Sequence, residues 1–141
     1  MIRVTRKLEF SAAHFYHNPN LSAEENRRVF GKCNNPQGHG HNYVLEVSVA
    51  GEPDPKTGMV LDLKELKEIL DREVTQRMDH RHLNYEVPEL AGKIPTCEEI
   101  ATVLWRILEP KIRQGHLDRI RLYESPDLFV DCTADAMKGA R

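Results

Sequence analysis

The chain has 141 residues, 40% of them hydrophobic and 30% charged, with a formal net charge of −2. That length fits one domain with a modest core, and the balance gives no reason to expect nucleic acid or an anionic membrane surface as a partner. The first residues have no signal-peptide apolar core, no stretch nears the roughly 20 apolar residues of a membrane helix, and three scattered cysteines make no disulfide framework, so a reducing cytoplasm is the expected location.

In chain order, Ile2, Val4, Leu8, Phe10, Ala12 and His14 share one parity and predict a half-buried strand that ends on His14. A long connection over residues 15–38 follows, with a short helix expected from Ser22 to Phe30. His39, His41, Tyr43, Leu45, Val47 and Val49 share a parity on a second strand. After a turn at residues 52–58, Met59-Val60-Leu61 reads as a short strand. Asp62 with Glu65 and Thr96 with Glu99 are capping-box pairs that open two helices. Their stripes are Leu66, Ile69, Leu70 and Val74, then Ile100, Val103, Leu104, Ile107 and Leu108. Met78 to Lys93 reads as irregular. Ile120, Leu122 and Glu124 lie on a third long strand, and Leu128 to Cys132 returns as a fourth. This order predicts an α+β domain over residues 1–132, a four-stranded antiparallel sheet with two helices on one face, followed by a frayed tail at 133–141. One open sheet face and two edges call for closure by other subunits.

His39 and His41 stand two residues apart, so on a strand both imidazoles point to one face. With His14 at the end of another apolar face, they make a three-histidine set suited to zinc with an open fourth position. Cys33 lies just upstream in a polar Gly/Asn/Pro loop, a poor place for a core residue. A nearby cation would lower its pKa and make it a base or nucleophile, although a thiol could equally close the site as a fourth ligand. Asp79-His80 is either a solvated loop or a carboxylate that orients an imidazole. Glu124 shares a face with apolar residues, so it either reaches water or anchors a ligand that offers paired N–H groups. Cys97 sits in the first turn of a helix, where the backbone N–H groups could meet a ligand acceptor.

These pieces resemble the 6-pyruvoyl-tetrahydropterin synthase family, which includes 6-carboxy-tetrahydropterin synthases. The resemblance rests on Phe10-Ser11-Ala12-Ala13-His14, Phe30-Gly31-Lys32-Cys33-Asn34-Asn35-Pro36, Gly38-His39-Gly40-His41-Asn42-Tyr43, Asp54-Pro55, Thr57-Gly58-Met59-Val60, Asp79-His80, Thr96 with Glu98, and Tyr123-Glu124. It implies a tunnelling fold that assembles as a barrel, a hexamer of two stacked trimers with active sites between subunits. It also implies zinc on His14, His39 and His41, Cys33 as catalytic base with Asp79 and His80 as relay partners, and Glu124 gripping a pterin with help from Thr96 and Cys97. The implied substrate is 7,8-dihydroneopterin triphosphate, with magnesium needed for activity. Cys33 precedes His39 by six positions, which resembles the 6-pyruvoyl enzymes of tetrahydrobiopterin biosynthesis. The 6-carboxy enzymes of queuosine biosynthesis typically have four. Cys97 and Pro126 depart from the biopterin-type pattern. A non-catalytic zinc or pterin-binding module is the remaining alternative.

Overall fold

The alternation over residues 2–14 becomes the first long strand of an open, five-stranded sheet in the computed structural model, which describes residues 1–139. Strand β1 (Ile2–His14) pairs antiparallel with β2 (His39–Gly51) in an unbroken register from Ile2 opposite Gly51 to His14 opposite His39. That register alone brings two of the three histidines face to face. β2 then pairs antiparallel with β4 (His116–Ser125), and β4 with β5 (Leu128–Thr133). On the other side of β1 lies β3, only Arg81–His82, running parallel to Ala12 and Ala13. The sheet thus has five strands rather than four, and a single chain does not close it into a barrel. Two residues carry no readable alternation, so β3 is created by where the preceding helix delivers the chain.

Helix α1 (Ala23–Phe30) is capped by Ser22, whose side chain accepts from the Glu25 N–H. Asp62 caps α2 (Leu63–Leu70) through the Lys64 N–H, and Thr96 caps α3 (Cys97–Leu108) through the Glu99 N–H. One sheet face presents Phe10, Tyr43, Leu45, Val47, Ile120 and Leu122, which form a single core with Leu66, Leu70, Ile100, Leu104 and Leu108 of the helices. Each fully buried aliphatic side chain contributes about 1.5–3 kcal/mol.

Three expectations need correction. Met59-Val60-Leu61 is irregular rather than a strand, although Val60 and Leu61 are buried. Residues 78–93 are ordered by tertiary packing. The chain passes through a π turn at Asp71–Thr75, then β3 and a helical turn at Leu83–Glu86, and buries Met78, Leu83, Val87 and Leu90. Ala134–Gly139 forms a short helix, α4, with Met137 buried, where a frayed tail is expected from composition. Residues 140 and 141 of that expected tail lie outside the described residues.

Candidate active site

The three histidines converge at the inner face of β1 and β2. His14 and His39 are register partners, and their Nε2 atoms lie 3.2 Å apart. The rings of His14 and His41 are 5.1 Å apart and those of His39 and His41 are 4.9 Å apart. His14 is fully buried. Its Nδ1 lies 2.8 Å from the Pro95 carbonyl, which can only accept, so Nδ1 carries the hydrogen and the Nε2 lone pair faces the cluster. The Tyr43 hydroxyl, also fully buried, lies 3.1 Å from the same Nδ1. Burial holds the His14 pKa down at about 4 against the pull of the Pro95 bond, so the ring is neutral as a ligand requires. Burial also lowers the pKa of His41.

Glu124 completes the group. One ligand atom from each of His14, His39, His41 and Glu124 falls within 4.8 Å of the others. Glu124 shares the inward face of Ile120 and Leu122 and lies where β4 slips register against β5, between the Tyr123–Phe129 and Ser125–Leu128 pairs. The Nε2 of His41 is buried and has no hydrogen-bond partner, although a Glu124 oxygen stands 2.9 Å away. Contact without hydrogen-bond geometry leaves this nitrogen free to ligate. Three imidazoles with a carboxylate beside them suit a divalent metal ion such as zinc. The sequence places Glu124 on the correct face. Its approach to the histidines depends on cross-strand register, which alternation does not encode. Tyr43 is a further site residue that its parity with His41 signals.

Cys33 lies on a 3-10 turn, Gly31–Asn34, which is fastened by a 2.7 Å bond from the Tyr16 N–H to the Cys33 carbonyl. The thiol is half-buried, and burial together with the negative charge of Glu124 pushes its pKa up. Cys33 therefore feels the same carboxylate that touches the histidines, and a cation among those residues would act on it with the opposite sign. Gly38 is required next to this turn. Its φ is +81°, and a Cβ there would stand 3.0 Å from His82 Nε2 and 3.2 Å from the His14 carbonyl oxygen.

Asp79 and His80 sit elsewhere. Asp79 accepts from the Ser11 N–H at 2.9 Å, and the His80 N–H donates to the Ser11 carbonyl at 2.6 Å. Their side chains pair at 2.9 Å between Asp79 Oδ2 and His80 Nδ1. The Ser11 N–H bond and the His80 ring keep the Asp79 pKa below the usual carboxylate range. His80 has φ +61°, the one non-glycine positive φ among the described residues, and its imidazole is 83% exposed. It lines a shallow cleft with Ser11, Ala13, Gly40, His41 and Asn42. Thr96 spends its side-chain oxygen on the helix cap. The Cys97 thiol is buried and donates to the Leu122 carbonyl, and burial pushes its pKa up to about 12.

Comparison with known proteins agrees with this geometry. The family described as 6-pyruvoyl tetrahydropterin synthase matches residues 3–135. A human protein named 6-pyruvoyl tetrahydrobiopterin synthase is 42% identical over 128 residues, covering 91% of this chain and 88% of its own. A Rickettsia felis protein named 6-carboxy-5,6,7,8-tetrahydropterin synthase is 31% identical over an alignment of 150 residues, covering 93% of this chain and 99% of its own. The solved structure of Caenorhabditis elegans 6-pyruvoyl tetrahydropterin synthase superposes with a TM-score of 0.89 at 36% identity, covering 94% of this chain and 95% of that one. With the fold and nearly the whole length matched, this chain belongs to the 6-pyruvoyl tetrahydropterin synthase family.

Proposed function

We propose that the chain is a zinc-dependent carbon–oxygen lyase that converts 7,8-dihydroneopterin triphosphate to 6-pyruvoyl-tetrahydropterin and triphosphate. The observation that carries this reading is the convergence of His14, His39 and His41 on one point beside Glu124, with the Cys33 thiol within reach of the same charge. The higher identity to the human 6-pyruvoyl enzyme than to the 6-carboxy relative, and the six-residue step from Cys33 to His39, favour the pyruvoyl product.

His14, His39 and His41 would hold the zinc and leave its fourth position to the substrate, with Glu124 beside them. Bound there, zinc would supply Lewis acidity to the oxygens of the substrate side chain. Cys33 as thiolate removes the proton from a side-chain carbinol carbon, and the Asp79–His80 pair relays a proton back to the ring. The carbinol next to the ring becomes a ketone while its two electrons enter the pterin. The second carbinol becomes a ketone as its neighbouring carbon loses triphosphate and ends as a methyl group. No outside hydride donor is needed. Glu124 offers the acceptor for the paired N–H groups of the pterin, and the backbone at Thr96 and Cys97 adds the opposite edge. Magnesium would accompany the triphosphate.

The exposed His80 ring and the open sheet support an assembly in which Asp79 and His80 serve a neighbouring subunit's Cys33. A hexamer of two stacked trimers around a closed barrel meets that need, and the exposed Leu128 and Phe129 on the edge strand are suited to its interface. No helix of the described residues is long and apolar enough to cross a membrane. The free thiols of Cys33, Cys97 and Cys132 suit a reducing compartment, and the proposed location is the cytoplasm.

The test is anaerobic incubation of the zinc-loaded protein with 7,8-dihydroneopterin triphosphate and magnesium, without a nicotinamide cofactor, with products identified by mass spectrometry. 6-Pyruvoyl-tetrahydropterin is expected. A 6-carboxy product with acetaldehyde would move the chain to the queuosine branch, and no consumption would reduce it to a binding module.

A further inference from the structure

The loop that carries Cys33 has a second working face. Outside the Gly31–Asn34 turn, against α1, lies a cleft of about 420 Å³ bounded by Phe15, His17, Arg27, Lys32, Asn34 and Asn35. No carboxylate lines it. Neither Arg27 nor Lys32 forms an ion pair among the described residues, whereas Arg3, Arg77, Arg119 and Arg121 are each matched to an acid. Two unmatched cations and an imidazole around one concavity make a field that selects an anion.

Position gives the anion its identity. Lys32 and Cys33 are consecutive on a 3-10 turn, whose successive side chains point about 120° apart with a rise of about 2 Å. Lys32 thus lines the cleft while Cys33, its neighbour in the chain, faces another side of the same turn. In the proposed reaction, the carbon chain that meets Cys33 ends in a triphosphate, a leaving group whose several negative charges need cations. Arg27 presents a planar guanidinium suited to bidentate phosphate binding, and Lys32 a point charge. Arg27 also complements the negative end of the α1 dipole, but that role does not call for Lys32 and His17 at the same cleft.

We infer that the Arg27–Lys32 cleft is a triphosphate-binding subsite, which takes the tail of the substrate while Cys33 works on its side chain. The assignment of that tail rests on the function proposed above. The ligand chemistry is a linear polyphosphate, and free inorganic triphosphate would occupy the same cleft as a product.

The experiment combines two readouts on the zinc-loaded wild type, the Arg27→Ser/Lys32→Ser double variant and a Lys64→Ser surface control. One is calorimetric titration with inorganic tripolyphosphate. The other is steady-state turnover of 7,8-dihydroneopterin triphosphate across ionic strength. Because Arg27 and Lys32 are exposed, the double variant is expected to fold. It should weaken tripolyphosphate binding roughly ten-fold or more, raise KM by a similar factor with kcat within about three-fold, and flatten the rise of KM with salt. Unchanged KM and unchanged tripolyphosphate affinity in an active double variant would overturn the subsite and leave the lyase assignment standing. Tripolyphosphate binding that depends on Arg27 and Lys32, in a wild type that consumes no pterin substrate, would uphold the subsite and overturn the lyase assignment.

Discussion

Oε1 of Glu124 lies 2.9 Å from Nε2 of His41 and 3.9 Å from Nε2 of His14, so a carboxylate faces two imidazole nitrogens across a narrow gap. Because the His14 lone pair is already aimed inward by Pro95, that gap favours a cation. Glu124→Gln removes the charge and keeps the shape. We expect zinc affinity to fall roughly ten- to a hundred-fold, as read by competition with a chromogenic chelator. Unchanged zinc affinity with a raised KM would restrict Glu124 to gripping the pterin.

Acid should loosen the zinc-free protein in a defined window. An unfolded histidine titrates near 6.5, and burial lowers folded His14 to about 4. Between these values the unfolded chain binds more protons, so stability falls as pH drops from 6.5 towards 4 and is fully present above 6.5. The total is on the order of 3 kcal/mol for His14, and His41 moves in the same direction. Urea midpoints from pH 7 to 4.5 measure it. The dependence should flatten in His14→Gln, and an equally steep curve there would assign the effect to other groups.

Cys33→Ala is expected to keep its zinc and lose about 10²–10⁴-fold in turnover, the range for removing a positioned base. Metal content by atomic emission separates this from the alternative in which Cys33 is a ligand and its loss sheds the ion.

Mixing tests where the Asp79–His80 pair acts. Cys33→Ala and His80→Ala subunits, each inactive alone, should regain activity when dissociated and reassembled together, because some sites then unite an intact thiol with a neighbour's intact imidazole. Mixed assemblies with no more activity than their parents would place both groups in one subunit's site.

The Cys97 thiol is buried against the Leu122 carbonyl and held in its neutral form. Cys97→Ala should therefore leave kcat within about two-fold and cost about 1 kcal/mol of stability, mainly from lost packing and one weak bond. A collapse in turnover without loss of fold would give this side chain a chemical role.

What could be read from the sequence followed the range of the interactions. The two long strands and the caps at Asp62 and Thr96 are encoded within a few residues by alternation and side-chain spacing, and they stand where expected. The shared face of His39 and His41 follows from the same periodicity. β3, the helical turn at Leu83–Glu86 and the approach of Glu124 to the histidines depend on what lies beside them in space. A two-residue strand has no period, and parity gives the face of Glu124 but not the cross-strand register that sets its neighbours. The burial of Met137 likewise needs the finished sheet, since the local sequence around it is small and polar.

β3 occupies β1 only at Ala12 and Ala13, and among the described residues no strand lies beside the rest of that edge. A strand from another molecule can therefore dock along the first residues of β1 but must halt where Arg81 and His82 already hold the backbone. Such a doorstop fixes how far two molecules can slide past each other, and so decides the alignment of every residue across their seam.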